Sequence, residues 1–263
     1  MLKIKNNILY ILHLTDKSFF CFIRNFLEYI FFNQKFSLKY FNNKYLRKYN
    51  NLNIYFPHKI RTIMYGRGYN FRLKTLANDY FINKITFNEG DTIVDCGANI
   101  GEIYLYFKIL QNINIDYYAF EPSINEFECL SLNVKSKYLY NKALWNKNEN
   151  LEFYIKSNSA DSSIFEINNY EKKINIKGVR LDSLNFNNIK LLKIEAEGAE
   201  PEVLEGAEDI LNKCEYVVID SGPERGKELK ETSVSVINFL VKRNFKLINI
   251  NHNRIVLLFK KNI

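Results

Sequence analysis

Short apolar runs alternate with amphipathic stretches from about residue 65 to the end of the chain. The apolar runs predict strands at 91–95, 115–121, 137–144, 190–195 and 216–220, with shorter extended segments at 151–155 and 175–179. Helices are predicted at 74–82, 100–110, 123–134, 200–211 and 231–243. Two further apolar runs, 245–250 and 254–259, are joined by Asn251-His252-Asn253 and predict a closing hairpin. The alternation predicts an α/β fold with a mostly parallel sheet and helices on both faces.

The first 50 residues follow a different pattern, because they contain neither Gly nor Pro and are rich in Phe, Tyr and Leu. Residues 18–32 predict an apolar helix, and a basic stretch follows from Lys35 to Lys48. We therefore predict a helical, aromatic-rich N-terminal extension over 1–55 and one α/β domain over 56–263. The extension either caps the main domain or a second subunit, as in a homodimer, or lies on a membrane surface with a basic rim.

Charge and cysteine usage narrow the class of protein only slightly. The formal net charge is +8 and the pI about 9.1, a balance that suits nucleic acid, an anionic membrane or a phosphorylated small substrate. Heavy use of Asn, Lys and Ile throughout indicates AT-rich codons, which weakens the argument from charge. Four scattered cysteines without a C-x-x-C pair argue against a zinc site and fit a reducing cytosol. No apolar run is long enough to span a membrane and no signal peptide is evident, so we predict a cytoplasmic protein, with the inner face of the membrane as an alternative.

A glycine-rich loop follows the first predicted strand of the α/β domain. It reads Asp95-Cys96-Gly97-Ala98-Asn99-Ile100-Gly101, and Glu121 ends the next predicted strand. Glycines at such a turn let backbone N–H groups approach a ligand closely. The loop lacks the G-x-G-x-x-G spacing of a pyrophosphate cradle and suits instead the amino-acid end of S-adenosylmethionine. Glu121 is then placed to accept both ribose hydroxyls, although capping of the following helix is an alternative role.

Several segments together resemble the FkbM family of methyltransferases over residues 60–263. These are Val94 to Gly101, Ala119-Phe120-Glu121-Pro122, Asn141-Lys142-Ala143-Leu144, Leu181-Asp182-Ser183-Leu184 and Leu192 to Glu200. The resemblance implies a Rossmann-like class I methyltransferase sheet with an antiparallel C-terminal hairpin strand, and methyl transfer from S-adenosyl-L-methionine to a hydroxyl oxygen. It also implies cofactor contacts from Asp95, Gly97, Asn99, Gly101, Glu121 and Ala143. The family motif K-I-D-V-E-G has Glu195 and Ala196 at its third and fourth positions here.

Carboxylates near the ends of the fourth and fifth strands are the candidate catalytic groups. Glu195, Glu197 and Asp220 would lie at the sheet edge where open α/β folds bind ligands. Such a cluster could supply a general base or position the acceptor, could bind a divalent metal through oxygens, or could be structural. Whether a metal is used stays open. Lys193 is expected to pair with one of these acids, and none of the three histidines is expected to be catalytic.

The leading hypothesis is an O-methyltransferase acting on a hydroxyl of a sugar, a nucleotide sugar or a surface glycan, as in polysaccharide biosynthesis. Arg67 and Arg225, in the two candidate lid loops, could hold a phosphate of such an acceptor, or could simply be solvated. The alternatives are methylation of RNA or another small molecule, and a non-catalytic scaffold that retains cofactor binding. Nucleic acid is not expected as a partner, because the N-P-P-Y-type tetrapeptide and a separate RNA-binding module are both missing from the sequence.

Overall fold

The computed structural model describes residues 12, 14–32, 37–49, 52–156 and 162–262. Its strands are β1 Ser37–Phe41, β2 Lys44–Tyr49, β3 Leu52–Phe56, β4 Thr92–Cys96, β5 Asp116–Phe120, β6 Tyr138–Tyr140, β7 Ala143–Leu144, β8 Glu149–Ile155, β9 Lys172–Val179, β10 Ile189–Ile194, β11 Cys214–Asp220, β12 Phe245–Asn251 and β13 Val256–Lys261. Its helices are α1 Lys17–Phe32, α2 Lys59–Met64, α3 Tyr69–Asp79, α4 Glu102–Leu105, α5 Ile124–Asn133, α6 Glu200–Glu205 and α7 Ser233–Val241. Most of the apolar stretch at 8–14, and Lys35, lie outside the described residues.

The centre of the fold is a seven-stranded sheet in the order β12-β13-β11-β10-β4-β5-β6. The pairs from β11 through β10, β4 and β5 to β6 are parallel, whereas β13 runs antiparallel to both β11 and β12. The predicted α/β class, the mostly parallel sheet and the closing hairpin are therefore confirmed. Strand order reverses between β4 and β10, and ligands bind in the crevice at the carboxyl ends of strands at such a point.

The third predicted strand, 137–144, is split in two. β6 joins the central sheet, but β7 leaves it and pairs with β9, in a small sheet of order β7-β9-β8. Asn141, between the two strands, donates from Nδ2 to the carbonyl oxygens of Glu121 (2.9 Å) and Pro122 (3.0 Å). These bonds hold the turn against the end of β5 and bring Ala143 close to the sheet edge. The prediction of one strand over 137–144 was wrong because the polar residues 141–142 interrupt the apolar run.

The N-terminal extension is not wholly helical, which corrects the description of 1–55 as a helical segment. α1 is present as predicted, but residues 37–56 form the antiparallel sheet β1-β2-β3. Asn42 and Asn43 have φ of 49° and 58° and join β1 to β2. A two-residue loop with positive φ at both positions favours a hairpin, and Asn is one of the few residues that adopts it readily. The boundary at 55/56 stays a prediction.

The extension packs onto the main domain through one face of α1. Phe20 and Cys21 are buried in the same apolar core as Leu73 and Tyr80 of the α/β region. The opposite face of α1 leaves large apolar side chains exposed: Phe19, Phe22, Phe26, Tyr29 and Ile30. In the described part of the chain, no helix combines the length and hydropathy required to cross a bilayer. All four cysteines are buried and unpaired.

Candidate active site

A cavity of about 400 Å³ lies at the crevice predicted by the sheet topology. Its walls come from the loops after β4, β5 and β10, from β7, and from α2 and α3 on the N-terminal side. Of the predicted site residues, it is lined by Gly97, Asn99, Glu121, Ala143, Glu195 and Glu197. Asp95, Gly101 and Asp220 are not part of its lining, and their contacts show indirect roles.

The glycine loop is shaped by close backbone approaches. Gly97 has φ of 72°, and a Cβ there would lie 2.1 Å from the carbonyl oxygen of Glu195, so only glycine lets this loop rest on β10. Gly101 has φ of 87°, and its Cβ would lie 2.3 Å from Val134 Cγ2 beyond the end of α5. Gly101 therefore packs the loop against the next helix rather than facing the cavity.

Glu121 and Asn99 form a polar corner of the cavity. Oε1 of Glu121 accepts from the Ser123 N–H (2.9 Å) and Oε2 from the Asn99 N–H (2.8 Å). Burial and the Glu126 carboxylate raise the pKa of Glu121 to about 8. A carboxyl group of this kind both donates and accepts hydrogen bonds near neutral pH, as a ribose diol requires. Oδ1 of Asn99 is buried and, within the described residues, has no hydrogen-bond partner.

An apolar slot adjoins this corner. It is formed by Phe120, Ala143, Leu144 and Phe153. The slot, the diol-binding carboxyl group and the unsatisfied Asn99 oxygen match the chemistry of a nucleoside that carries a polar tail. The residues present therefore fit S-adenosylmethionine.

Lys193 lies at the bottom of the site and is almost completely buried. Its Nζ is 3.1 Å from Asp95 Oδ1 and 3.0 Å from Glu195 Oε2, and it donates to the carbonyl oxygens of Cys96 and Gly97. Burial opposes the charge on Lys193, but the two carboxylates raise its pKa above the ordinary value. Asp95 also accepts from the Tyr117 hydroxyl at 2.5 Å. The expected ion pair of Lys193 is present, and Asp95 acts through it rather than on a ligand.

Glu195 is held from both sides by cations. Its Oε1 is 3.1 Å from Arg254 Nη2, which also lies 2.6 Å from Oδ2 of the buried Asp220 and donates to the Tyr80 hydroxyl at 3.2 Å. Burial alone would raise the pKa of Glu195, but Lys193 and Arg254 outweigh it and lower the pKa to about 2. Glu195 is therefore a permanent, fixed anion that can accept hydrogen bonds from a ligand.

Sequence reasoning missed Arg254 and Tyr80. Arg254 lies just before β13, and Asp220 at the end of β11 pairs with Val256. The antiparallel direction of the last strand therefore carries its start to the same edge as the carboxyl ends of the parallel strands. The predicted closing hairpin already implied this position for Arg254. No local sequence pattern indicates a role for Tyr80, which follows the end of α3.

The loop after β10 is fixed by Glu200, which is fully buried. Its Oε1 accepts from the N–H groups of Ala196 (3.1 Å) and Gly198 (3.0 Å), and its Oε2 from the Thr232 hydroxyl (2.7 Å). Glu200 is thus structural, and it presents Glu197, which has φ of 50°, to the cavity.

The two arginines considered as phosphate ligands or as solvated loop residues lie outside the cavity lining. Arg225 pairs with Glu202 at 2.6 Å and stacks on Phe165, and Arg67 stacks on Phe71; neither lines the cavity. Across the residues that the structure describes, no cluster of three or more His, Cys, Asp or Glu side chains could hold a metal ion.

The chain was compared with known protein families and structures. A family model described as the methyltransferase FkbM domain matches residues 95–247, which is more than half of the chain. No curated protein sequence matches. Similar solved structures include a methyltransferase FkbM from Methylobacillus flagellatus KT (14% identity, TM-score 0.45, covering 68% of this chain and 45% of that one). Others are a SAM-dependent methyltransferase from Aquifex aeolicus (13%, 0.42, covering 72% and 95%) and M. capricolum TrmK in complex with S-adenosyl-homocysteine (18%, 0.37, covering 73% and 68%).

The matched segment begins at Asp95 and contains the glycine loop, Glu121, Lys193 and Glu195. This chain spans less than half of the Methylobacillus protein with which it aligns. Because the family model covers more than half of the chain, the chain belongs to the FkbM family of methyltransferases.

Proposed function

We propose that this protein transfers a methyl group from S-adenosylmethionine to a hydroxyl of a sugar, a nucleotide sugar or a surface glycan. The observation that carries the proposal is that one cavity joins a nucleoside-type half, around Glu121 and Ala143, to a half lined by Glu195, Glu197 and Arg254. Carboxylates and a guanidinium at fixed positions recognise hydroxyl groups through directional hydrogen bonds. An acceptor with several hydroxyls fits this second half better than an apolar acceptor does.

When bound, S-adenosylmethionine supplies an electrophilic methyl group on its sulfonium sulfur. The contribution of the protein is then mainly to orient the acceptor oxygen in line with that methyl group. Glu195 performs this orientation, because Lys193 and Arg254 fix both of its oxygens and it stays ionised. A carboxylate with a pKa of about 2 is a weak base, so Glu195 positions a hydroxyl rather than deprotonating it.

Calorimetry tests the cofactor half of this proposal. We expect S-adenosylmethionine to bind the purified protein, and Glu121→Ala to weaken binding by about tenfold, since the variant loses two hydrogen bonds to the ribose at about 0.5–1.5 kcal/mol each. Glu152→Ala is the matched control, because Glu152 is an exposed carboxylate paired with Lys173 on the nearby β8. Failure of the wild-type protein to bind the cofactor would overturn the proposal.

Product formation tests the acceptor half. Wild-type protein, S-adenosylmethionine and a panel of methyl glycosides and uridine diphosphate sugars should yield S-adenosylhomocysteine and an O-methylated sugar detectable by mass spectrometry. Glu195→Gln should lower this turnover while S-adenosylmethionine still binds. Cofactor binding without any product across the panel would favour a non-catalytic scaffold instead.

A further inference from the structure

Removal of the hydroxyl proton requires a carboxylate that faces the cavity and is not already engaged. The cavity carboxylates other than Glu224 fail this requirement. Both oxygens of Glu121 accept backbone N–H groups, and Glu197 has a contact of its own. Glu195 is held by two cations, Glu102 accepts from Arg72 (2.8 and 2.9 Å) and Tyr65 (2.7 Å), and Glu126 is paired with His58 at 3.2 Å. Asp220, a catalytic candidate by sequence, is outside the cavity lining and bound to Arg254.

Glu224 meets the requirement. It lies in the loop that follows β11 and lines the same cavity as Glu195 and Arg254. Its backbone N–H donates to the Gly222 carbonyl oxygen at 2.9 Å, a local turn that directs the chain back over the site. Its Oε2 is buried and accepts no hydrogen bond from any residue that the structure describes. A buried carboxyl oxygen without a donor is costly unless a ligand supplies one.

The surroundings of Glu224 favour proton uptake. Burial and the nearby carboxylates of Asp220, Glu195 and Glu200 raise the pKa of Glu224 to about 8, against the opposing charge of Arg254. A general base is most effective when its pKa lies near the working pH, because it is then both basic and sufficiently ionised. The Glu195 carboxylate has a pKa of about 2, so it is ionised at the working pH but is only weakly basic.

We propose that Glu224 is the catalytic base that accepts the proton of the acceptor hydroxyl. This inference rests on the proposed function. As the oxygen–methyl bond forms, the methyl–sulfur bond breaks and its electron pair remains on sulfur, giving S-adenosylhomocysteine. The hydroxyl proton passes to the Glu224 carboxylate and leaves to water after the product departs. The two carboxylates have different roles: Glu195 orients the acceptor, and Glu224 removes its proton.

Glu224→Gln tests this role, because it keeps the shape of the side chain and removes its basicity. With whichever methyl glycoside or uridine diphosphate sugar the wild-type protein methylates best, kcat should fall by about 10²- to 10⁴-fold, the usual contribution of general base catalysis. The Kd for S-adenosylmethionine should stay within about twofold. Glu228→Gln is the control, because Glu228 is an exposed carboxylate of the same segment, paired with Lys230; this variant should behave as the wild type.

The pH profile separates a base from a merely structural residue. In the wild type saturated with S-adenosylmethionine and acceptor, where the ribose engages Glu121, log kcat should rise with pH through the pKa of Glu224 at about 8 and level off above it. The variant should lose this rising limb. Turnover by Glu224→Gln at the wild-type rate, or with an unchanged limb, overturns the role of Glu224 and leaves the proposed function standing. If the wild type methylates no sugar of the panel, the proposed function is overturned. The role of Glu224 in hydroxyl deprotonation is then overturned as well.

Discussion

A buried lysine in the middle of a parallel sheet is the residue on which the site depends. β10 is otherwise apolar where it is buried, as such strands usually are, yet Lys193 lies at its centre with 3% of its surface exposed. Two carboxylates and two backbone carbonyls satisfy its charge. The arrangement joins the strand that leads to the glycine loop, through Asp95, to the carboxylate that faces the acceptor, Glu195.

Lys193→Met should therefore destabilise the protein strongly. Removing one partner of a buried ion pair leaves its carboxylates uncompensated, at a cost of about 3–5 kcal/mol. Lys190→Met, on the same strand, is the matched control: Lys190 pairs with the partly exposed Glu215, and such pairs contribute about 0–1 kcal/mol. Urea denaturation followed by circular dichroism measures both free energies of unfolding. Equal losses in the two variants would contradict the importance given to Lys193.

At the scale of elements, the sequence predicted best where one pattern dominates. The parallel strands were identified because they are short apolar runs bounded by turns, and the closing hairpin because two such runs flank Asn251-His252-Asn253. The sheet β1-β2-β3 was missed because its strands mix basic and aromatic residues, and the basic side chains suggested a solvated stretch. Asn42-Asn43, with positive φ at both residues, was the available signal for a hairpin.

α1 is tied to this small sheet by a buried charge network. Glu28, which is almost fully buried, lies 2.7 Å from Arg24 on the same helix and 3.2 Å from Arg47 of β2. Arg24 and Glu28 have the four-residue spacing expected of a helical pair. Arg47, which lies in the basic stretch after α1, is only 4% exposed. The network joins the two parts of the extension to each other.

Glu28→Gln should lower the free energy of unfolding by about 3 kcal/mol, since it removes the buried carboxylate that pairs with Arg24 and Arg47. Glu128→Gln, which removes only a surface pair with Lys44, should cost less than about 1 kcal/mol. Thermal denaturation measures the change in the free energy of unfolding of each variant relative to the wild type. A loss for Glu28→Gln no larger than that for Glu128→Gln would show that the network does not hold the helix in place.

At the scale of the whole molecule, the site is assembled from segments far apart in sequence. Four of the six residues predicted to contact the cofactor line the cavity, because the glycine loop and Glu121 follow consecutive strands of the parallel sheet. The acceptor half was predicted only in part, because Arg254, Tyr80 and Glu224 reach it by the topology of the chain rather than by a local motif. Asp220 was expected in the cavity from its place at the end of a strand, but its side chain is turned into the ion-pair network behind it.

The raised pKa values of Glu121 and Glu224 make stability depend on pH in a direction that can be calculated. Glu121 and Glu224 have pKa values of about 8 in the folded protein, against an ordinary value of 4.5 in the unfolded chain. Between these values the folded protein binds more protons than the unfolded chain, so its stability falls as the pH rises from about 5 to 8 and changes little above that. The low pKa of Glu195 acts in another window, below pH 4.5, and does not offset this loss.

The double variant Glu121→Gln/Glu224→Gln should remove the part of this dependence that comes from these two residues, because glutamine does not ionise. Its amide nitrogen at position 121 would face a backbone N–H, so we expect a lower melting temperature than the wild type at pH 5. Between pH 5 and 8.5 the melting temperature of the wild type should fall by more than that of the variant, with each kcal/mol worth about 2–4 °C in a protein of this size. Differential scanning calorimetry of the cofactor-free protein at the two pH values measures the difference, with Glu228→Gln as the exposed control. If the wild type and the double variant lose stability in parallel between pH 5 and 8.5, the two carboxyl groups are not the protonated groups inferred from their burial, and the basis for assigning proton transfer to Glu224 is weakened with them.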